Sequence, residues 1–152
     1  MKQPMFGSIV VGTDGSATAT NAVSHAIDLA REVGARLQIV SAYEPVSDQR
    51  LRNERIEVPK DLQWIINPRE DVLAVLETAQ REAEQAGVTQ VETFARQGDA
   101  ADAILDVAEE QDSDLIVIGH RGMTGAKRFL LGSVPNKVSH HAPCSVLIVR
   151  TG

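Results

Sequence analysis

The clearest chemical pattern in the chain is three glycines and a serine that follow an apolar run. Gly119, Gly122, Gly132 and Ser133 have the spacing G-x2-G-x9-G-S, directly after the apolar residues 115–118. Glycines let backbone amides approach an anion without interference from a Cβ atom. A helix that starts after the pattern would add free N–H groups and a partial positive charge. A strand, a glycine-punctuated loop and a helix N-terminus in this order predict a phosphate-binding site.

The charge distribution also favours an anion site in this part of the chain. The net charge is −6, yet all 21 acidic residues lie between Asp14 and Asp114. The segment after Asp114 has no acid, and its basic residues are Arg121, Lys127, Arg128, Lys137 and Arg150. An acidic body with one basic segment favours a localised anion site and argues against nucleic-acid binding, which needs a broadly basic face. The alternative is that short loops happened to draw cations.

A second loop with suitable chemistry follows the apolar residues 8–12. It carries Thr13, Asp14, Gly15 and Ser16. The Asp14 carboxylate would repel phosphate, but it could accept hydrogen bonds from an adenine amino group or a ribose hydroxyl. The alternative is that Asp14 stabilises the turn and caps the first helix. Ser133 has a similar alternative, as a plain N-cap without a ligand.

Apolar runs and helical patterns alternate along the chain and would position these two loops. The predicted strands are residues 8–12, 37–43, 91–96, 115–119 and 145–149. Continuous apolar strands that alternate with helices indicate a parallel sheet covered on both faces. In such open sheets, ligands bind beyond the carboxyl ends of the strands, where the strand order reverses. The sequence thus predicts one α/β domain with five strands.

Apolar spacing and capping residues predict four helices between these strands. The first helix should end at Gly34, the second should begin at Pro68 after an Asn67 cap, and Asp99 should cap the third. The fourth helix should follow Gly132 and carry histidines 140 and 141 near its C-terminal end. The predicted buried residues of the first helix are Ala22, Val23, Ala26, Ile27, Leu29, Ala30 and Val33. Those of the second are Val72, Leu76, Ala79, Ala83 and Ala86, and those of the third are Ala101, Ile104, Leu105 and Ala108.

Composition is typical of one ordinary domain over residues 1–152, with a long polar connection at 44–66. The hydrophobic content of 43% is enough for a single sizeable core. No apolar run approaches the roughly 20 residues that span a membrane, and the N-terminus is a poor signal peptide. Cys144 cannot form an internal disulfide and is expected to be a buried structural thiol. These features favour a cytoplasmic protein without membrane or nucleic-acid partners.

The predicted phosphate site lacks the groups that hydrolysis normally needs. The chain has no acid from Ile116 onward to hold Mg²⁺ or to act as a base. His120, His140 and His141 do not have the spacing of a metal site. Asp14 or Asp99 could reach in from other loops, so weak hydrolysis of a bound phosphate ester is the most that we expect. Any Mg²⁺ would be held through the phosphates of the ligand.

Three stretches of the sequence resemble the universal stress protein family. They are IVVGTDGS at residues 9–16, LIVIGHRGMTGAKRFLLGSV at 115–134 and HAPCSVLIVR at 141–150. The glycine pattern resembles that of the ATP-binding branch of the family. The resemblance implies a Rossmann-like fold of the adenine nucleotide alpha hydrolase type, with strand order 3-2-1-4-5. That order reverses between strands one and four, where the two loops would meet.

The resemblance also implies which residues bind the nucleotide. They are Gly12, Thr13, Asp14, Ala42, Ile118, Gly119, Arg121, Gly122, Gly132, Ser133 and Val134. Asp14 would contact the adenine or the ribose, and Ala42 would meet the base through its backbone. The loop glycines, Ser133 and the Val134 amide would hold the ribose and phosphates. The sequence departs from common members at His120, where a small residue is frequent, and at Pro135, which removes one amide donor.

The family likeness further implies a regulatory protein of the stress response that acts as a homodimer. The dimer would form through the last strand, with Val146, Leu147, Ile148, Val149 and Arg150 at the interface. An apolar edge strand without an internal proline favours pairing with another chain. ATP is the expected ligand. The alternatives are a member that binds AMP or cyclic AMP, a weak ATPase, and a dimeric scaffold without nucleotide.

Overall fold

The computed structural model describes residues 5–43, 68–120 and 133–150. In these residues, helices and strands alternate along the chain, as the apolar pattern predicts. The strands are β1 (Ser8–Gly12), β2 (Arg36–Tyr43), β3 (Val91–Gln97), β4 (Leu115–Gly119) and β5 (Ser145–Val149). The helices are α1 (Ala17–Val33), α2 (Pro68–Ala86), α3 (Ala100–Glu110) and α4 (Ser133–His141).

The five strands form one sheet in the order β3-β2-β1-β4-β5. All four strand pairs are parallel, and the central strand β1 pairs Val10 with Gln38 of β2 and with Ile116 of β4. The chain first builds outward from β1 towards β3 and then crosses over to β4 and β5. The strand order therefore reverses at β1 and β4, and the predicted fold class is confirmed.

Two apolar clusters lie on opposite faces of the sheet. On one face, strand residues such as Ile9 and Val11 pack with α1 and α2. On the other face, Val10, Val40 and Ile116 pack with α3 and α4. Successive strand residues point to opposite faces, so helices on both sides bury nearly every position of the central strands β1 and β4. This explains why the strands read as continuous apolar runs.

The helix ends follow the capping signals in the sequence. The Ser16 side chain accepts a hydrogen bond from the Ala19 amide at 3.2 Å and caps α1. Gly34 ends α1 with φ of 72°, a left-handed conformation that glycine adopts without strain. The Asp99 side chain accepts from the Asp102 amide at 3.1 Å and caps α3, as predicted. Pro68 is the first residue of α2, also as predicted, whereas Asn67 lies outside the described residues.

Some predicted boundaries and buried positions need correction. β2 begins one residue earlier than expected, at Arg36, and β3 ends one residue later, at Gln97. Val33 was expected in the buried stripe of α1, but it is 36% exposed and Leu29 is only half-buried. The contact line of α1 instead follows Ala19, Ala22, Val23, Ala26, Ile27 and Ala30. A straight helix touches the sheet along one line, so residues at the flank of the predicted stripe stay partly in solvent.

Two further residues differ from their predicted burial. Leu105 of α3 is half-buried, whereas the neighbouring Ala103 and Val107 are buried. Cys144 was expected to be buried, but it is only half-buried, and it packs against the apolar cluster on the α3 and α4 face. Burial, and secondarily the charge of Asp114, raise the pKa of the Cys144 thiol, which lowers its reactivity. Within the described residues, no helix is long and apolar enough to cross a membrane.

Candidate functional site

A cleft lies at the carboxyl ends of β1 and β4, on the sheet face that packs against α3 and α4. Its lining is mainly apolar, with Thr13 and Asp14 as polar members. The lining residues are Gly12, Thr13, Asp14, Ala19, Val40, Ala42, Ala100, Ile104, Ile118, Gly119, Val134 and Pro135. We call this space the switch-point cleft, because the strand order reverses beside it. Ligands of open parallel sheets bind at this position.

The first wall of the cleft is the turn between β1 and α1. The Thr13 amide donates to the Val40 carbonyl at 2.9 Å, which ties the turn to β2. The Gly15 amide donates to Thr13 Oγ1 at 3.1 Å, and the Ser16 amide donates to Asp14 Oδ1 at 2.9 Å. Asp14 therefore stabilises the turn, which was one half of the alternative to a binding role. The other half, that Asp14 caps α1, is wrong, because Ser16 provides that cap. The same arrangement keeps Asp14 at the edge of the cleft.

The second wall depends on two glycines at strand ends. A Cβ atom on Gly119 would lie 2.6 Å from Thr18 Cγ2 and 3.1 Å from the Thr18 carbonyl oxygen. A Cβ atom on Gly12 would overlap the Ile104 side chain, with Cγ1 at 2.9 Å. These glycines let the first turn of α1 and the side chain of Ile104 approach the strands closely. Both glycines are therefore required for packing, whether or not they also bind a ligand as predicted.

The N-terminal turn of α4 forms the third wall. The helix begins at Ser133, which is exposed, and Val134 and Pro135 line the cleft. The first turn of α4 contains no acidic residue, so its partial positive charge is not offset within the turn. Pro135 is buried and has no N–H group, which leaves one donor fewer at this helix end.

An ion cluster joins α3 to α4 beside the cleft. Lys137 Nζ lies 2.8 Å from Asp102 Oδ1 and 3.3 Å from Asp99 Oδ2. The hydrogen bond from the Asp102 amide, and then Lys137, lower the pKa of Asp99. Hydrogen bonds to Asp102 and Asp99 raise the pKa of Lys137. Lys137 and Asp99 therefore hold their charges more firmly than isolated groups would.

The described part of the chain shows the surroundings of the histidines. His120 follows Gly119 and is 5% exposed, and its amide donates to the Val149 carbonyl at 3.0 Å. Its Nδ1 atom has no hydrogen-bond partner among the described residues. His140 and His141 occupy the last turn of α4, as predicted. Among the residues that the structure describes, no group of three or more His, Cys, Asp or Glu side chains could hold a metal ion.

The structure brings together many of the residues that the sequence singled out. Seven of them line the switch-point cleft, namely Gly12, Thr13, Asp14, Ala42, Ile118, Gly119 and Val134. Ser133 precedes Val134 at the start of α4 but does not itself line the cleft. Arg121, Gly122 and Gly132 lie outside the described residues.

Sequence reasoning missed five residues of the lining, namely Ala19, Val40, Ala100, Ile104 and Pro135. Four of them are ordinary apolar residues with no chemical signature of a binding site. Ile104 was assigned to the core, which is also correct, because its side chain is 4% exposed. Pro135 was noted only for the amide that it removes. What could have indicated them is their position in the fold, since α3 and α4 both begin at the end of the sheet where the cleft lies.

A second cleft lies between α1 and α2. Its lining includes Thr20, Ala74, Thr78 and Glu82. Thr13 lines both clefts, so the β1–α1 turn separates the two. The second cleft was not predicted from the sequence.

The fold and the cleft together define the class of the protein. It is an open parallel α/β protein with a cleft where the strand order reverses, which is the position at which such folds bind ligands. The model of the Universal stress protein family matches residues 5–150. The chain belongs to this family, and the resemblance seen in the sequence is confirmed.

Relatives of similar length support the assignment. Universal stress protein YxiE of Bacillus subtilis (strain 168) is 38% identical over 151 residues, covering 96% of this chain and 100% of the relative. Universal stress protein Rv1636 of Mycobacterium tuberculosis (strain ATCC 25618 / H37Rv) is 35% identical over 146 residues, covering 96% and 97%.

Solved structures show the same fold. UspA from Lactobacillus plantarum superposes with a TM-score of 0.79 at 22% identity, covering 95% of this chain and 98% of that one. At that identity the likeness concerns the fold alone. A universal stress protein in complex with cAMP superposes with a TM-score of 0.71 at 33% identity, covering 97% and 98%.

Proposed function

We propose that the protein binds an adenine nucleotide in the switch-point cleft and acts as a regulatory protein of the stress response in the cytoplasm. ATP is the expected ligand. The observation that carries the proposal is the meeting of the β1–α1 turn, the end of β4 and the start of α4 around one apolar cleft. We propose that the whole chain works as a single domain around this site.

The chemistry of the three walls matches the parts of a nucleotide. Val40, Ala42 and Ile104 provide apolar surface for a base. Asp14 provides an acceptor for a ribose hydroxyl or an adenine amino group. The N-terminal turn of α4 provides amide donors and positive potential for phosphate. In this proposal Arg121, Gly122 and Gly132 complete the phosphate end.

AMP and cyclic AMP are the alternative ligands within the same site. The relative solved in complex with cAMP is 33% identical to this chain and covers nearly all of it, which supports testing a cyclic nucleotide. Hydrolysis is not part of the proposal, and we expect slow turnover of ATP at most. Calorimetric titration with ATP, ADP, AMP and cyclic AMP tests the proposal and ranks the ligands.

Ser133→Ala is expected to weaken ATP binding about fivefold. The hydroxyl at the start of α4 would donate to a phosphate oxygen. A hydrogen bond to a charged group contributes about 1.5–3 kcal/mol, and because Ser133 is exposed to water we expect about 1 kcal/mol here. Calorimetry on both proteins measures the ratio. Ser139→Ala is a matched control, because Ser139 is on the same helix and its hydroxyl donates to the Asn136 carbonyl of that helix at 2.9 Å. No binding at millimolar ATP, together with no effect of Ser133→Ala, would contradict the proposal.

We also propose that the protein forms a homodimer through β5. This strand is at one edge of the sheet, and β4 is its only neighbour among the described strands. Leu147, in the middle of β5, is 41% exposed. An exposed apolar side chain on an open edge favours pairing with a second copy. Val146 to Arg150 would form the interface.

Leu147→Lys is expected to convert the dimer to a monomer. A charge at the centre of an edge strand opposes strand pairing, because it would be desolvated in the interface. Sedimentation velocity at micromolar protein measures the change in mass. Leu73→Lys is the matched control, since Leu73 is 46% exposed on α2 and should leave the dimer intact. A wild-type protein that sediments as a monomer would overturn the dimer proposal.

A further inference from the structure

The ion cluster of Lys137, Asp99 and Asp102 adjoins the walls of the switch-point cleft. Asp99 immediately precedes Ala100, and Ala100 lines the cleft. Lys137 lies on the turn of α4 that follows the cleft residues Val134 and Pro135. The cluster therefore joins the starts of the two helices that form one side of the cleft.

We propose that Lys137 makes the cleft suitable for charged nucleotides by offsetting one of the two negative charges of Asp99 and Asp102 and by holding α4 against α3. Lys137 is then a positioning and specificity residue that acts through its two partners and the field around them. The inference rests on the proposed nucleotide binding at the same site. It also explains how two carboxylates can lie near the proposed phosphate-binding end of the site, at the N-terminal turn of α4.

The electrostatic part of the argument follows from the charge count around the cleft. Lys137 brings one positive charge to two carboxylates, Asp99 and Asp102, so its loss would change the formal charge of the cluster from −1 to −2 beside the N-terminal half of α4. Both side chains are about half exposed, at 52% and 56%, so water weakens their field without removing it. An anionic ligand would experience this repulsion, and the repulsion would grow with the charge of the ligand.

The positional part follows from the small size of α4. The helix has nine residues, and Pro135 and Val138 are its buried residues. Helices this short are not stable alone and depend on tertiary contacts. Lys137 adds polar contacts to both carboxylates, which lie at the N-terminal end of α3. The start of α4 thus gains a second attachment besides its apolar face.

Lys137→Met tests the proposal, with binding of adenosine, cyclic AMP and ATP measured by calorimetry in low salt without magnesium. For a separation of about 10 Å, the lost charge should weaken ATP binding about sevenfold and cyclic AMP binding less than about twofold. Adenosine is uncharged, so its affinity should fall only by the part that comes from the looser attachment of α4, and this loss should be smaller than the loss for ATP. In 150 mM salt the loss for ATP should shrink to about twofold. Lys137→Met/Asp102→Asn should recover most of the ATP affinity, since it restores the local charge.

Arg81→Met is the matched control. Arg81 is exposed, pairs with Glu77 at 3.8 Å within α2, and lies on a helix that packs on the opposite face of the sheet. Equal losses for all three ligands in Lys137→Met, or an equal loss in Arg81→Met, would overturn the role of Lys137 and leave nucleotide binding intact. A wild-type protein that binds none of the three ligands would instead overturn the proposed function, and this inference with it.

Discussion

Replacing Ala42 with tryptophan is expected to lower nucleotide affinity by about a hundredfold, which corresponds to about 2.7 kcal/mol. Ala42 is half-buried near the end of β2 and faces the switch-point cleft beside Val40. An indole ring at this position would fill the apolar space that we assign to the base. Calorimetry or displacement of a fluorescent nucleotide measures the loss.

A matched variant shows whether the loss is specific to this cleft. Ala74→Trp places the same ring in the second cleft, between α1 and α2, where Ala74 is exposed. We expect this variant to bind nucleotide as the wild type does. Thermal unfolding of both variants checks that the fold is retained. Undiminished binding by Ala42→Trp would place the base elsewhere and refute the assignment of the cleft.

Gly119→Ala is expected to destabilise the protein by about 2 kcal/mol, because it overpacks a tight contact. The new methyl group would collide with Thr18 Cγ2 and would also press on the Thr18 carbonyl oxygen, which belongs to the backbone of α1. To relieve the contact, the start of α1 has to move away from β4. The midpoint of thermal unfolding should fall by roughly 4–8 °C for a domain of this size.

Two comparisons separate the two sources of the strain. Thr18→Ser removes Cγ2 and should restore part of the stability of Gly119→Ala, whereas the contact with the carbonyl oxygen would remain. Gly12→Ala should cost less than Gly119→Ala, since its methyl group meets side-chain atoms of Ile104 and Ile118 and no backbone atom among its nearest neighbours, and side chains shift more easily than backbone. If Gly119→Ala unfolds at the same temperature as the wild type, the close approach described here is wrong.

The sequence predicted the central strands well because burial on both faces leaves a strong signal, and the apolar runs that became β1 and β4 match the strands residue for residue. The bounds of β5 also match, although this edge strand alternates between exposed and partly buried residues. The errors lie in the helices, where the phase of the buried face matters. Val33 and Leu29 fit a helical stripe, but the buried face of α1 is shifted to the neighbouring positions, which include Val23, Ile27 and several alanines. Composition within a helix does not determine which of two adjacent lines faces the sheet.

The site was predictable where it depends on unusual residues and not where it depends on packing. Glycines at strand ends and an aspartate in a tight turn stand out in a sequence, and Gly12, Asp14 and Gly119 do meet at one cleft. Ala100 and Ile104 look like any core residues, so only the placement of α3 shows that they line the cleft. Lys137 and Asp99 are 38 positions apart in the sequence, so no local pattern predicts their ion pair.

The strand order also has a consequence for the sequence of events in folding. β1 is in the middle of the sheet, and its partner β4 comes much later in the chain, after β2 and β3. One side of the cleft, the β1–α1 turn, is thus made early during synthesis, whereas α3, β4 and α4 emerge late. Under the proposed function, a nucleotide that contacts every side of the cleft would bind only a chain whose sheet is nearly complete. Ligand binding would then be coupled to the last step of folding, because the ligand would bind the folded chain and not the incomplete one.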